Sequence, residues 1–482
     1  MNRKVAKNYI YNTMYQVLVL VAPLITAPYV SRVLGAANIG IYSYTQSIAS
    51  YFVLVGVVGT SLYGQREIAY NQDNPVERSK AFWEIEILRL TAVVLCTAVY
   101  SFSFSGRGEY SDIYRILTFE IIAAGFDISW LYAGMEDFRV TVTRNTIIKI
   151  SGIALIFLFV KTPNDLPLYV ACVTLPQFIA NISLWFKLKK YIVRVGGYLH
   201  GLWGRIKRRI RPILFLFLPQ IARDVYLVLD KTMIGLLSSE ISQVGYYTQA
   251  QKIVKLTMAL ATSLGTVMMP VMAAYFAKGN HEGIVNSIKK SFQFIYMLSF
   301  ALMFGVCAIF THFVPVFFGK GYDPVEPLMV IISPIIVIIA TSNVIGTQYL
   351  LPTKQQGAFT VSIITGAAVN FTLNCLLIPK YDAIGASIAT VIAELTVTFV
   401  QCLYVRKQLP LKECFRSGIK YAVCGFLMMT SVRLIGTMLP KKIWAVVLMV
   451  VFGAAFYGAE LIITRDPMVK EGLRLLRMRR KT

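Results

Sequence analysis

Apolar residues run in blocks along almost the whole chain, separated by short polar segments. Each block is roughly 20 residues, enough to cross a ~30 Å hydrocarbon layer as an α-helix. Fourteen such spans are read between residues 10 and 464, with no long soluble insertion among them. A transmembrane barrel would show short segments of alternating polarity instead. The pattern predicts an all-α integral membrane protein. The first span follows a basic front, "MNRKVAKNYIYN". It exceeds the apolar core of a signal peptide, about 7–15 residues, so it is expected to be retained as the first membrane helix.

Composition agrees. Hydrophobic residues make up 56% of the 482, charged residues 15%, and the mean hydropathy is +0.61. A soluble fold carries about 25% charged residues. The net charge of +24 would suggest nucleic acid in a soluble protein. Here the cations lie mostly in links between spans, so anionic phospholipid headgroups are the expected partner and nucleic acid is not. With the N-terminus cytoplasmic, cytoplasmic segments hold 33 Lys and Arg against 7 on the opposite side. That asymmetry predicts an even number of crossings and both termini inside.

The longest link, residues 187–211, alternates cations with Tyr191, Ile192, Val193, Leu199, Trp203 and Ile206. It reads as a hinge lying on the inner leaflet. It separates helices 1–6 (1–186) from helices 7–12 (212–405), and 406–482 adds helices 13–14 and a basic tail. The two halves share a motif. Gly40, Tyr42, Gln46 and Ile48 align without gaps to Gly245, Tyr247, Gln251 and Ile253, an offset of 205. Both copies span the end of one helix and the start of the next. Six spans precede the hinge, so the halves are expected to be parallel repeats: two six-helix lobes around a central cleft, with one rocking against the other.

Charges inside spans cost about 2.5–3.5 kcal/mol each at mid-bilayer. Arg89, Arg115, Lys149, Arg223, Lys231, Lys252, Lys255 and Arg433 must therefore face protein or water, or snorkel. Arg89 has Glu86 three and Glu84 five residues before it, so it is either a cleft cation or half of an internal ion pair. Asp224 and Lys231 are seven apart on helix 7, as are Arg223 and Asp230, giving two charged stripes that suit a cleft or ion pairs to neighbours. Lys252 and Lys255 share a face of helix 8 with no acid nearby in sequence, which suggests an anionic ligand. Glu120 and Asp127 are seven apart on helix 4. Glu394, mid-helix 12, is either an ion-coupling group or a structural carboxyl. Asn370 and Asn374 form an i, i+4 pair on helix 11. The seven cysteines show no C-x-x-C pairing and read as packing residues. The three histidines are scattered and no phosphate-cradling G-x-x-x-x-G-K-[ST] loop occurs. No metal, cofactor or catalytic group is expected.

The stretch from Asn8 to Ala69, "NYIYNTMYQVLVLVAPLITAPYVSRVLGAANIGIYSYTQSIASYFVLVGVVGTSLYGQREIA", resembles the N-terminal signature of the Wzx-type oligosaccharide flippases. "DKTMIG…VGYYTQAQKI" and "NFTLNCLLIPKYDAIGASIATVIAE" resemble their second-lobe signatures, which the wider multidrug and lipid-linked oligosaccharide exporter superfamily shares. The resemblance implies fourteen helices in two lobes and a monomer in the bacterial cytoplasmic membrane. It implies alternating-access flipping of an undecaprenyl-diphosphate-linked oligosaccharide, alongside a polysaccharide polymerase and glycosyltransferases, and no enzymatic activity. Basic residues in the cleft are implicated in that family, which points to Arg32, Lys231, Lys252 and Lys255, with Arg89 and Arg223 behind them. The candidate ion-coupling or structural acids are Asp127, Asp224, Asp230 and Glu394. The other reading is a cation-coupled drug or metabolite exporter of the same superfamily. A membrane-embedded glycosyltransferase would want a large extracytoplasmic loop or a catalytic acid cluster, and neither is present in the sequence. One position departs from the family pattern: Asp382 stands where glycine is expected, in a loop where the change should matter little.

Overall fold

A computed structural model describes residues 3–106, 108–194, 201–262 and 264–470. Every regular element among them is helical. The chain divides into two compact units, Met1–Gly235 and Leu236–Thr482. The first is built from α1 (Arg3–Val57), α2 (Thr60–Tyr70), α3 (Pro75–Phe104), α4 (Ser111–Gly125), α5 (Ser129–Gly134), α6 (Phe138–Phe159), α7 (Leu166–Trp185) and nearly all of α8 (Leu202–Leu237). The second holds α9 (Ser242–Thr262), α10 (Leu264–Ala277), α11 (His281–Phe317), α12 (Val325–Ile332), α13 (Ile335–Asn343), α14 (Gln356–Val405), α15 (Leu411–Gly436) and α16 (Ile443–Ile463). Ten stretches among the described residues are long and apolar enough to cross a membrane, and the protein is a multi-pass membrane protein.

Two helices are too long for one crossing. At 1.5 Å per residue α1 would extend ~80 Å and α14 ~75 Å, more than twice a ~30 Å hydrocarbon layer. Each contains one residue that leaves the helix. In α1 it is Gly35, at φ 75°, ψ 170°. The change from the first predicted span to the second thus falls on a single glycine, the residue that takes positive φ without steric cost. In α14 it is Asp382, at φ 48°, ψ −129°. The expectation that this position matters little is corrected here. A side chain other than glycine at positive φ costs about 1–3 kcal/mol and persists only where the surroundings hold it. The hold is visible: Ser238 Oγ donates to Asp382 Oδ1 at 2.5 Å.

The 187–211 link is also more structured than a surface hinge. Leu188–Lys190 form a 3₁₀ turn, and α8 starts at Leu202 and continues into the apolar stretch. Arg205 and Arg209, read from sequence as lipid-headgroup cations, pair inside the first unit. Arg205 Nε lies 3.0 Å from Glu84 Oε1. Arg209 bridges Glu84 and Glu67, the latter at 2.8 Å, and donates to Tyr63 Oη at 3.1 Å. Residues 195–200 of the link, Leu199 among them, lie outside the described residues.

The core of the first unit gathers Tyr63, Ile68, Phe82, Ile85, Trp130 and Tyr132 where α2, α3 and α5 meet. Small residues allow that approach: a Cβ on Gly64 would stand 2.4 Å from Trp130 Cε3. In the second unit α11 and α15 run together by the same device. A Cβ on Gly418 would stand 2.9 Å from Tyr296 Cδ2, and one on Gly425 2.6 Å from Phe304 Cδ2. The cysteines form no disulfide among the described residues.

Candidate functional site

Charge in the first unit collects around a broken helix. α4 stops at Gly125 and α5 begins at Ser129, so Phe126–Ile128 interrupt what the sequence predicts as one span. A break inside a bilayer exposes backbone carbonyls that lipid cannot satisfy. Three side chains from two other helices reach them. Arg89 Nε on α3 donates to Ala124 O at 3.0 Å. Asn181 Nδ2 on α7 donates to Ala123 O at 2.7 Å, and Trp185 Nε1 to Phe126 O at 3.0 Å. A guanidinium at the C-terminus of α4 also complements the helix dipole.

Asp127 sits in the break itself. Its Oδ1 accepts from Ser129 N at 3.0 Å, capping α5, and from Arg144 Nη1 on α6 at 3.2 Å. Arg144 also donates to Asn181 Oδ1 at 2.7 Å, closing a ring through α6 and α7. Arg89 is 2% exposed and has Glu86 and Asp127 as its electrostatic neighbours. The structure therefore brings Arg89 and Asp127 together and gives both a local task. Sequence reasoning missed Arg144, Asn181 and Trp185. The signal was present in "GFDIS", Gly125 to Ser129, a glycine followed by an Asp-x-Ser cap.

Each copy of the motif makes its contacts within its own unit. Tyr42 stands edge-on to Tyr169 of α7, with ring centroids 5.1 Å apart. Tyr247 Oη lies 3.1 Å from Thr390 Oγ1 in the second half of α14. Gln46 hydrogen-bonds Glu120. Its counterpart Gln251 donates to Tyr247 Oη at 3.1 Å. Asn38 Nδ2, just past the Gly35 break, donates to Pro163 O at 2.8 Å, in the connection from α6 to α7. Ser238, in the link from α8 to α9, bonds Asp382, the break within α14.

The remaining candidates are spread over both units. Arg32 is exposed on α1, three residues before Gly35. Asp224 and Lys231 are half-buried on α8, and Asp230 is 4% exposed. Thr232, next to Lys231, bonds Ser47 Oγ at 2.7 Å and Tyr51 Oη at 3.0 Å, which docks this part of α8 on the second half of α1. Lys252 and Lys255 are half-buried on one face of α9, beside buried Gln251 and Val254. Half-buried ammonium groups are strong, adaptable partners for a phosphate. Glu394 is half-buried on α14, one turn from Thr398, whose Oγ1 donates to its carbonyl at 3.0 Å. The side chain of Arg223 lies outside the described residues. The Asn pair is internal to α14: Asn374 Nδ2 donates to Asn370 Oδ1 at 3.1 Å. Among the described residues no cluster of His, Cys, Asp and Glu is arranged to hold a metal.

Outside the spans, one acid anchors the end of the last helix. Burial pushes the Asp466 carboxyl up, and hydrogen bonds from Lys420 Nζ at 2.7 Å and Tyr421 Oη at 3.0 Å bring it below the usual carboxylate range. On the other unit, burial and a bond to Asp137 Oδ2 at 2.5 Å raise the Tyr191 hydroxyl above its ordinary value.

Comparison with known proteins places this arrangement. A protein described as "Putative O-antigen transporter" from Escherichia coli (strain K12) is 24% identical over 406 residues, 83% of this chain and 96% of that one. Among solved structures, "Lipid II flippase MurJ, inward closed conformation" superposes with a TM-score of 0.76 at 14% identity, over 96% of this chain and all of that one. An inward-facing multidrug resistance MATE family transporter of the MOP superfamily superposes with a TM-score of 0.57 at 13% identity, over 81% of this chain and 98% of that one. These structures share the fold. The family model described as "Polysaccharide biosynthesis protein" matches residues 5–276, more than half of the sequence, and the chain belongs to that family.

Proposed function

We propose that this protein flips an undecaprenyl-diphosphate-linked oligosaccharide across the bacterial cytoplasmic membrane by alternating access, without catalysing a reaction. The observation that carries the reading is the near end-to-end similarity to a putative O-antigen transporter, within a family of polysaccharide biosynthesis proteins. The fold by itself does not choose the cargo, since multidrug transporters share it. Fourteen crossings are supported by counting the breaks in α1 and α14 as reversals and adding the more polar α8 and α9–α10 to the ten apolar stretches. With that count and the excess of Lys and Arg on one side, both termini are cytoplasmic. The contacts of Tyr42 and Tyr247 support two six-helix repeats, with 187–211 between them and 406–482 as an addition.

The diphosphate is the recognition handle. Lys231, Lys252 and Lys255 are half-buried in otherwise apolar helices, where a cation–phosphate contact is less screened than in water. Arg32 and Arg223 are further cation candidates, with Asp224, Asp230 and Glu394 as the candidate ion-coupling or structural acids. Arg89 and Asp127 act as supports of the α4–α5 break. The polymerase and glycosyltransferases that make and consume the repeat unit are the expected functional partners, and the flippase works as a monomer.

A deletion strain tests the reading. Surface polysaccharide is expected to stop while lipid-linked repeat units accumulate on the cytoplasmic side; normal polymer output sinks the proposal. Lys252→Ala with Lys255→Ala is expected to lower export at unchanged protein level. Full export by that variant removes both lysines from the substrate path.

A further inference from the structure

We propose that the groove between α6 and α7 is a binding site for an anionic diacyl phospholipid of the leaflet at its 187–190 end. The site lies on the outside of the first unit and does not depend on what the protein transports. The groove has a volume of ≈ 1190 Å³, above the roughly 300–1,000 Å³ of small-molecule pockets. It exists because α6 packs weakly: Val142 and Ile156 are its buried residues, and Ile147 stays 61% exposed. Small residues on the facing sides, Ser151, Ala180 and Ser183, leave the space between the helices open.

The lining divides along its length. Ile147, Ile148, Leu155, Ile179 and Leu184 make an apolar wall. From Arg139 to Leu155 the helix rises ~24 Å, long enough to run from headgroup depth through the ~15 Å hydrocarbon of one leaflet. The charged groups gather at one end: Asp137, Arg139, Arg144, Lys187 and Lys190. Two of these cations are already engaged. Arg144 serves Asp127, Asn145 and Asn181. Lys190 lies 3.7 Å from Asp137, which also accepts from Tyr191 Oη. Arg139 and Lys187 are exposed and form no ion pair among the described residues.

That layout fits one class of ligand. A phosphodiester headgroup can lie between Arg139 and Lys187 with charge-assisted bonds, while its acyl chains cover the wall below. A zwitterionic lipid brings its own cation and gains less from the two positive side chains. A free phosphate leaves the apolar wall uncovered.

The test uses the full-length protein in phosphatidylcholine nanodiscs doped with a phosphatidylglycerol that carries a photoactivatable acyl chain. Labelling is expected in peptides covering residues 147–155 and 176–184. Unlabelled phosphatidylglycerol should compete roughly 25-fold better than phosphatidylcholine, since each of the two surface cations contributes roughly fivefold. Arg139→Gln combined with Lys187→Gln should abolish that preference, while a photoactivatable phosphatidylcholine still labels the same peptides. Both positions are exposed, so an unchanged melting temperature shows that the double variant is folded. The proposal is overturned by labelling spread evenly over the other apolar helices. It is also overturned by an unchanged headgroup preference in the double variant, or by competition from undecaprenyl diphosphate but not from phosphatidylglycerol.

Discussion

Each unit breaks a membrane helix, and the two breaks are repaired by different chemistry. In the first, the helix stops at Gly125 and restarts at Ser129; Arg89 bonds Ala124 O, while Asn181 and Trp185 add second donors to Ala123 O and Phe126 O. In the second, the crossing that occupies the same place in the proposed repeat is interrupted at Ser333 and Pro334, between α12 and α13. Pro334 has no N–H, so the carbonyl four residues back, Val330, loses its helical partner. Ser333 Oγ donates to that carbonyl at 2.9 Å. One neutral hydroxyl does locally what three long side chains do in the first unit. The buried charges follow. Among the described residues the first unit buries Arg78, Glu84, Glu86, Arg89 and Asp230, and the second buries Asp466. A charge in the membrane-embedded interior is thus not by itself a mark of substrate. Arg89 is here the partner of a helix break that had no proline.

The sharpest way to break this comparison is to remove one repair from each unit. Arg89→Met is expected to destabilise by about 3 kcal/mol or more, because it strands Ala124 O and leaves Glu86 without its buried cation. Ser333→Ala should cost about 1 kcal/mol, one neutral hydrogen bond. Thermal unfolding in one detergent compares the two. Equal losses would refute the contrast.

Next in size is the ion cluster that fastens the start of α8. Glu84 is nearly fully buried while its partners Arg209 and Arg205 are 20% and 35% exposed, so solvent screens part of the interaction. Glu84→Gln is expected to cost about 2 kcal/mol. The loss should appear as earlier proteolysis within α8 as well as a lower melting temperature.

Asp382 separates strain from bonding. Asp382→Ala keeps the positive φ and loses the Ser238 bond, for a cost of about 1–2 kcal/mol. Asp382→Gly loses the same bond but relieves the backbone, and should be within about 0.5 kcal/mol of the parent. If the two variants melt together, the corner is not strained.

The smallest effect is at Asp466. Its carboxyl titrates below the ordinary value, so the stabilisation is present above the unfolded pKa, about 3.9, and is lost as pH falls through the lower folded value. Asp466→Asn should cost about 1 kcal/mol at neutral pH, because Lys420 is partly exposed. It should also flatten the acid limb of the stability curve below pH ~4.

Hydrophobic blocks made the class of fold legible, because span length is set by bilayer thickness rather than by tertiary detail. The Tyr42 and Tyr247 motif was legible as a pair of similar segments, and each tyrosine contacts a later helix of its own unit. The α4–α5 break was not. Its partners Arg89, Asn181 and Trp185 come from distant segments, and a one-dimensional pattern holds no record of which carbonyls need a donor. Arg205 and Arg209 misled for a related reason: they sit in a basic link, and their acids lie far back in α2 and α3. Asp382 looked incidental because loop tolerance is judged by exposure, whereas here the backbone angle decides.

The α4–α5 break has a consequence for synthesis. When those residues leave the ribosome only Arg89 has already been made; Arg144, Asn181 and Trp185 are still to come. A broken helix cannot rest in lipid with open carbonyls. The segment must therefore enter the bilayer as a continuous helix and unwind after α6 and α7 arrive, or wait beside the insertion machinery until they do. Either route makes the first unit a single assembly step ending near Trp185, and a nascent chain stalled before that residue should be handled by the cell as unfinished.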